Sequence, residues 1–90
     1  MSETAEQSLN DTVKSFQKEI IKAMYGANPN EFGITQIHVY GIPMNLVLSR
    51  VEANTYYVYL PIQNQVIAKT QNKIDYYWLA NVNWDDLLEV

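Results

Sequence analysis

The chain contains no cysteine among its 90 residues. This absence excludes a disulfide framework, a thiolate metal site and a cysteine nucleophile. Small secreted domains commonly depend on disulfides, because their cores are too small to stabilise them alone. A cysteine-free chain of this size is therefore expected in the cytoplasm.

Long apolar runs and positive charges are also scarce. No apolar stretch approaches the ~20 residues needed to cross a bilayer, and the N-terminal segment MSETAEQSLND lacks the basic and apolar regions of a signal peptide. Six Lys and Arg residues stand against ten Asp and Glu residues, which gives a net charge of −4. Binding to phosphate-rich partners relies on cationic patches. The sequence therefore favours neither a membrane nor a nucleic acid as partner.

Glycine and proline are few, with three of each, so no segment has the composition of a linker. Hydrophobic residues make up 48% of the chain, which argues against disorder. A chain this short has enough residues for one compact core. We therefore predict that residues 1–90 form one domain.

The first element is predicted to be a helix, because apolar residues recur at spacings of three and four. This stripe consists of Leu9, Val13, Phe16, Ile20 and Met24. Thr4, Ser8 and Asn10 are alternative residues near its start that could cap it. The helix is expected to end at Gly26, because the following segment Asn28-Pro29-Asn30 cannot continue it.

Beyond Gly33 the apolar period changes from 3.6 to 2, which is typical of strands. The predicted strands are Ile34–Tyr40, Met44–Glu52, Thr55–Leu60, Gln65–Thr70 and Lys73–Ala80. Their predicted connections are a break at Gly41-Ile42-Pro43 and turns at Ala53-Asn54, Gln63-Asn64 and Gln71-Asn72. Connections this short make neighbouring strands antiparallel. The prediction is an α+β fold: a long N-terminal helix packed on a four- to five-stranded antiparallel meander sheet, followed by a short C-terminal helix.

The C-terminal segment NVNWDDLLEV is predicted to form that short helix, capped by Asn83 and beginning at Trp84. Trp84, Leu87 and Leu88 would form a small apolar face. We expect this face to fold back on the sheet, since burying large apolar side chains is favourable. Two alternatives are docking into a groove of another protein and covering the sheet of a neighbouring subunit.

The segment NTYYVYLPI at residues 54–62 carries three tyrosines within four positions. Because side chains alternate across a strand, one face receives Tyr56, Val58, Leu60 and Ile62, and the other receives Thr55, Tyr57 and Tyr59. In the last strand, Ile74, Tyr76 and Trp78 likewise alternate with Asp75, Tyr77 and Leu79. We assign the sets that contain Val58 and Trp78 to the core. One long helix can cover one face of the sheet, so the other face is expected to be open.

Aromatic residues at the open face and in the C-terminal segment are the candidates for binding another protein. The candidate protein-binding residues are Tyr57, Tyr59, Tyr77, Tyr40 and Trp84. Tyrosine and tryptophan are enriched in interfaces, because they contribute a large contact area for little lost rotamer freedom. The alternative is purely structural: tyrosine favours strands, and cross-strand aromatic pairs stabilise a sheet.

Catalytic and metal-binding signatures are not apparent in the sequence. His38 is the single histidine, and no serine or carboxylate accompanies it at a recognisable catalytic spacing. Asp85, Asp86 and Glu89 could be imagined around a cation, but acidic residues in the first turn of a helix also complement its dipole. We therefore predict no catalytic residue, no metal site and no cofactor.

These observations lead to three hypotheses about function. The first is a small acidic, non-catalytic protein-interaction module: an adaptor, an inhibitor or a small subunit of a larger assembly. The first alternative is a structural homodimer joined through the open sheet face or its edge. The second alternative is a weak single-stranded nucleic-acid binder, since aromatic sheet faces can stack bases.

Overall fold

The computed structural model describes residues 2–79 and 81–88, and for residues 2–10 and 88 it describes only the helical backbone. The elements are α1 (Ser2–Tyr25), β1 (Ile34–Val39), β2 (Ile42–Leu48), β3 (Thr55–Leu60), a 3-10 turn (Pro61–Gln63), β4 (Gln65–Gln71), β5 (Asp75–Trp78) and α2 (Trp84–Leu88). The strands form an antiparallel sheet in the order β1-β2-β3-β4-β5. The predicted α+β fold is therefore confirmed, with five strands in the meander.

Helix α1 buries the predicted apolar stripe against one face of the sheet. Phe16, Ile20 and Met24 are buried in the core, and the helix ends at Tyr25 as its sequence predicts. The side chain of Leu9 lies outside the described residues, as do those of the proposed capping residues Thr4, Ser8 and Asn10.

The sheet contributes the other half of the core. Its fully buried apolar residues are Met44, Leu46, Val58, Leu60, Ile67 and Ala68. Burial of each large apolar side chain of this kind contributes about 1.5–3 kcal/mol. The hydrophobic contact between α1 and this face of the sheet therefore holds the two layers together.

The first hairpin turns earlier than predicted, because the turn consists of Tyr40 and Gly41 alone. Both adopt positive φ angles, 52° and 80°, which match the right-handed twist of the flanking strands. Pro43, expected in a break, lies inside β2 opposite His38. Pairing of β2 with β3 begins only at Asn45. The missing N–H of Pro43 thus falls at the end of the ladder, where a proline is tolerated.

The connection between β2 and β3 is longer than predicted, because β2 ends at Leu48 rather than at Glu52. The hydroxyl oxygen of Ser49 accepts hydrogen bonds from the N–H groups of Val51 (3.2 Å) and Glu52 (3.0 Å). These local bonds satisfy two backbone N–H groups of residues 49–54 without a strand partner. We call this segment the β2–β3 loop.

Strand β5 is shorter than predicted and begins at Asp75 rather than at Lys73. Lys73 has a φ angle of 58° in the turn that precedes the strand, and its ammonium group donates to the carbonyl oxygen of Ala27, just beyond α1. The hydroxyl of Tyr76 donates to the carbonyl oxygen of Lys73 (2.7 Å). The bond from Lys73 attaches the β4–β5 turn to the end of α1, and the bond from Tyr76 connects this turn to β5. Ala80, predicted as the last residue of the strand, lies outside the described residues.

Strand β4 contains a bulge at Ile67. Val58 pairs with Ala68, and the next residue of β3, Tyr59, pairs with Val66. Ile67 is therefore an additional residue, and its carbonyl oxygen accepts a hydrogen bond from the N–H of Leu79 (3.2 Å). Because a bulge sets two residues against one, Ile67 and Ala68 are both buried on the helix side.

The C-terminal helix is docked on the core, as expected. Asn83 caps it by accepting from the N–H of Asp86 (3.4 Å) and donating to its carboxylate (2.7 Å). The ring of Trp84 lies 5.8 Å from that of Trp78 and 6.0 Å from that of Phe16, and Leu87 is buried. Leu88, Glu89 and Val90 have side chains outside the described residues. Across the helices that the structure describes, none is long and apolar enough to span a membrane.

Candidate functional site: the open face of the sheet

We call the sheet surface opposite α1 the open face. Its centre is a straight row of cross-strand neighbours, one from each strand. Pairing joins Ile34 to Val47, Val47 to Tyr57, Tyr57 to Lys69 and Lys69 to Tyr77. Residues directly opposite in antiparallel strands share a face, so these side chains form one band across the sheet, which we call the central row.

The alternation in β3 places Tyr57, Val58 and Tyr59 as the sequence predicts. Val58 is fully buried against α1, whereas Tyr57 and Tyr59 are half-buried on the open face. Tyr77, on the edge strand β5, is 55% exposed. The open face therefore presents three tyrosine rings to the surroundings of the molecule.

Three residues of the predicted alternation are placed differently. Ile62 was assigned to the core but is 66% exposed, because the 3-10 turn replaces the expected strand continuation. Ile74 is 74% exposed, since it lies in the β4–β5 turn. Thr55 was assigned to the open face but is fully buried, and its hydroxyl donates to the carbonyl oxygen of Ala53 (3.1 Å) in the β2–β3 loop.

Glu52 from the β2–β3 loop links two residues of the central row. Its carboxylate accepts a hydrogen bond from the Tyr57 hydroxyl and forms an ion pair with the Lys69 ammonium group (2.6 Å). The Lys69 nitrogen lies 6.0 Å from the centroid of the Tyr57 ring, at the outer limit for a cation–π contact. The three side chains therefore hold one another in a defined arrangement.

These contacts shift the pKa of each partner. The hydrogen bond from Lys69, followed by that from Tyr57, lowers the pKa of Glu52. The hydrogen bond to Glu52 raises the pKa of Tyr57, and the same carboxylate raises the pKa of Lys69. All three shifts favour the protonation states present near neutral pH, a carboxylate, a neutral phenol and an ammonium ion.

The second tyrosine of β3 is also anchored through its hydroxyl. Tyr59 donates to the side-chain oxygen of Asn64, which has a φ angle of 51° at the end of the 3-10 turn. The polar ends of Tyr57 and Tyr59 are thus both bonded within the chain. Their rings remain as rigid, largely apolar surfaces.

Two of the five candidate binding residues lie away from the open face. Tyr40, in the β1–β2 turn, is 68% exposed, and its ring lies 5.6 Å from that of Phe16 on α1. Trp84 packs between Phe16 and Trp78 on the helix side. The structure therefore brings together Tyr57, Tyr59 and Tyr77, and separates Tyr40 and Trp84 from them.

His38 lies on the open face near the end of β1, where it is exposed opposite Pro43. Its side chain forms no hydrogen bond or ion pair with any residue that the structure describes. Among residues 11–79 and 81–87, no three His, Asp or Glu side chains converge as metal ligands. Asp85 and Asp86 are exposed in the first turn of α2, and Glu89 lies outside the described residues.

The sequence pattern does not indicate Glu52 and Lys69 as members of this site. Strict alternation along β4 places Lys69 on the same face as the buried Ile67, and only the bulge moves it to the open face. Glu52 was predicted to lie inside a strand rather than in a loop that reaches back over the sheet. A bulge and a loop path depend on long-range packing, so neither has a local signal in the sequence.

Comparison of the chain with protein-family models, with curated proteins and with solved structures finds no match.

Proposed function

We propose that the protein is a non-catalytic interaction module that binds another protein through its open face. Tyr57, Tyr59 and Tyr77 are the proposed contact residues, and Ile34 and Val47 extend the surface toward β1. The observation that carries this proposal is the central row, an aromatic and aliphatic band on a sheet face that α1 does not cover. Tyr40 and Trp84 are left out of the proposed surface, because they lie on the helix side.

The anchored hydroxyls support this proposal energetically. A tyrosine whose rotamer is already fixed loses little entropy when a partner covers its ring. Tyr57 and Tyr59 are fixed by Glu52 and Asn64 respectively. Rigid aromatic side chains of this kind are typical of the residues that contribute most to protein–protein binding.

The charge of the surface also favours a protein over a nucleic acid. Lys69 lies in the middle of the central row, but Glu52 already neutralises its charge. The covered surface would thus bury few unpaired charges, and each unpaired buried charge would weaken association. We propose an adaptor, an inhibitor or a small subunit of an assembly, acting in the cytoplasm, because the chain has no cysteine.

Affinity capture from the native host tests the proposal, with the wild-type chain compared with Tyr77→Ala and Tyr59→Ala variants. We expect a specific protein to be retained by the wild type and lost, at least tenfold, with either variant. A tenfold loss corresponds to about 1.4 kcal/mol of binding free energy, within the range for truncating an interface tyrosine.

Tyr25→Ala is the matched control, because Tyr25 is 75% exposed but belongs to α1 on the other side of the sheet. It should retain the captured protein as the wild type does. Circular dichroism of each variant verifies that the fold is intact. Equal retention by all variants, or equal loss with Tyr25→Ala, would contradict binding through the open face.

A further inference from the structure

The outer edge of β1 is a second surface, separate from the open face. Among the strands that the structure describes, β1 is first in the sheet order and pairs with β2 on one side only. Its sequence ITQIHV contains no Lys, Arg, Asp, Glu or Pro, and its pairing with β2 runs without a bulge from Ile34 to Val39. Charges, prolines and bulges are the usual means of keeping an edge strand from pairing with another chain.

The opposite edge of the sheet differs from this one. Strand β5 has four residues, against six in β1, and its first residue is the charged Asp75. A short, charged edge strand is a poor template for further pairing. Between the two edges, β1 is therefore the one at which a further strand would add.

The hydrogen-bond pattern identifies which backbone groups of β1 point outward. The N–H of Leu48 donates to the carbonyl oxygen of Gly33 (2.7 Å), so these two residues form a hydrogen-bonded pair. Because such pairs alternate in an antiparallel ladder, Thr35 and Ile37 direct their backbone groups toward β2. The residues whose N–H and C=O groups point outward are Ile34, Gln36 and His38.

Asn30 already occupies the outward groups of Ile34. Its backbone N–H donates to the Ile34 carbonyl oxygen (3.2 Å), and its side-chain oxygen accepts from the Ile34 N–H (3.3 Å). No residue that the structure describes bonds the outward backbone groups of Gln36 and His38, so these groups remain for a further strand.

We propose that these groups pair with those of a second copy of this chain, so that two β1 strands join antiparallel about a twofold axis at Ile37. Gln36 of one copy then exchanges both backbone hydrogen bonds with His38 of the second copy. By the twofold symmetry, His38 of the first copy pairs in the same way with Gln36 of the second. Residues that lie opposite each other in a sheet have side chains on the same face, and Gln36 and His38 meet this condition. The result is a continuous ten-stranded sheet, twice the five strands of one chain.

The neighbouring register is less favourable. If the axis passed through Gln36, His38 would lie opposite Ile34 of the second copy, whose outward groups are bonded to Asn30. The outward groups of His38 would then lack partners, and leaving polar groups unpaired in an interface is costly. The available donors and acceptors therefore favour the register centred on Ile37 over the one centred on Gln36.

This association does not depend on the proposed function, since it uses the strand edge rather than the tyrosine rings. A twofold axis perpendicular to the sheet keeps both α1 helices on one side and both open faces on the other. The tyrosine surface would thereby be doubled without being covered.

Sedimentation equilibrium tests the dimer, and Gln36→Pro is the decisive variant. Because this interface is small, the titration should extend to about 1 mM protein. The average mass of the wild type should rise from that of the 10.4 kDa monomer toward twice that value. Gln36→Pro should remain monomeric, because it removes an outward N–H that no β2 residue uses.

Gln36→Thr is the matched control, because it also replaces the side chain but retains the backbone N–H and should dimerise as the wild type does. Circular dichroism shows whether the proline variant keeps its fold. A wild type that stays monomeric throughout the titration, or a folded Gln36→Pro variant that dimerises equally well, would overturn the proposal.

Cysteine cross-linking tests the register, and the cysteine-free chain gives it no background. In the proposed register a mixture of Gln36→Cys and His38→Cys chains should form a disulfide-linked heterodimer under mild oxidation. Residues opposite each other lie about 5.5 Å apart between Cα atoms, within the reach of a disulfide. Gln36→Cys alone should cross-link at least tenfold less. Preferential cross-linking of Gln36→Cys with itself would refute the register centred on Ile37.

Discussion

At the scale of the residue, the Glu52 carboxylate joins two side chains of different character, those of Tyr57 and Lys69. Each is partly exposed, and an exposed ion pair by itself contributes little to stability. Here the carboxylate also accepts a hydrogen bond from the phenol hydroxyl, so a single group fixes both the tyrosine ring and the lysine. The β2–β3 loop is thereby attached to the open face.

Stability should depend on pH through Glu52 in a defined direction. Its pKa in the folded protein is lowered by Lys69 and Tyr57, so its stabilising contribution is present above the unfolded value, about 4.3, and is lost as the pH falls through the folded value. We expect the advantage of the wild type over Glu52→Gln in urea unfolding midpoint to be present at pH 6 and to disappear toward pH 3.

Glu31→Gln is the matched control for this measurement, because Glu31 is an exposed residue in the loop before β1. This substitution removes the same charge as Glu52→Gln. Its midpoint should follow that of the wild type across the same pH range. A wild-type advantage over Glu52→Gln that persists unchanged at pH 3 would refute the assigned role of the carboxylate.

At the scale of the element, periodicity was sufficient to predict α1, all five strands and α2, but the connections were predicted less well. The apolar stripe and the period of two are local properties that burial of one face imposes. The bounds of β2 depend instead on a positive φ at Tyr40 and on the Ser49 hydroxyl. Tyrosine rarely adopts positive φ, so the sequence indicated a longer break there.

The distinction between local periodicity and the path of the connections also explains which residues of the site could be predicted. Tyr57 and Tyr59 follow from alternation within one strand. Lys69 does not, because the bulge at Ile67 changes the parity of β4. Glu52 enters the site only through the path of a loop.

The β1–β2 turn gives an element-scale prediction. Gly41 has a φ angle of 80° with no atom within 4 Å of an added Cβ, so Gly41→Ala should cost the backbone conformational penalty alone, about 1–2 kcal/mol. Gly26 also has open space around its Cβ position but no positive φ. Gly26→Ala should therefore be neutral or stabilising by up to about 1 kcal/mol.

Urea denaturation of the two alanine variants measures both effects. The comparison isolates the backbone angle, because neither added methyl group meets a neighbour. If both variants lost the same stability, the turn would not require a left-handed residue at Gly41.

At the scale of the whole molecule, aromatic rings connect elements that are far apart in the sequence. The ring of Trp84 from α2 contacts those of Phe16 from α1 and Trp78 from β5 edge to face. Such pairs contribute about 0.5–1.5 kcal/mol each beyond the burial of area. They couple the first and last elements of the chain to the same core.

This coupling predicts unfolding in one cooperative step. Tryptophan fluorescence, which reports Trp78 and Trp84, and far-UV circular dichroism, which reports mainly α1, should give the same urea midpoint. Trp84→Ala should lower the free energy of unfolding by up to about 3 kcal/mol, less than for a fully buried ring, whereas Trp84→Phe should retain most of it. A fluorescence transition that precedes the circular dichroism transition would show that α2 detaches independently.

The meander has a consequence for synthesis of the chain. Every strand pairs with its neighbour in sequence, so each hairpin can close soon after its second strand leaves the ribosome, at a small cost in loop entropy. Helix α1, however, is made before any of the strands that it covers. Its apolar stripe therefore stays exposed to solvent until the strands have been synthesised. The nascent chain is most vulnerable to aggregation and to chaperone binding during that interval.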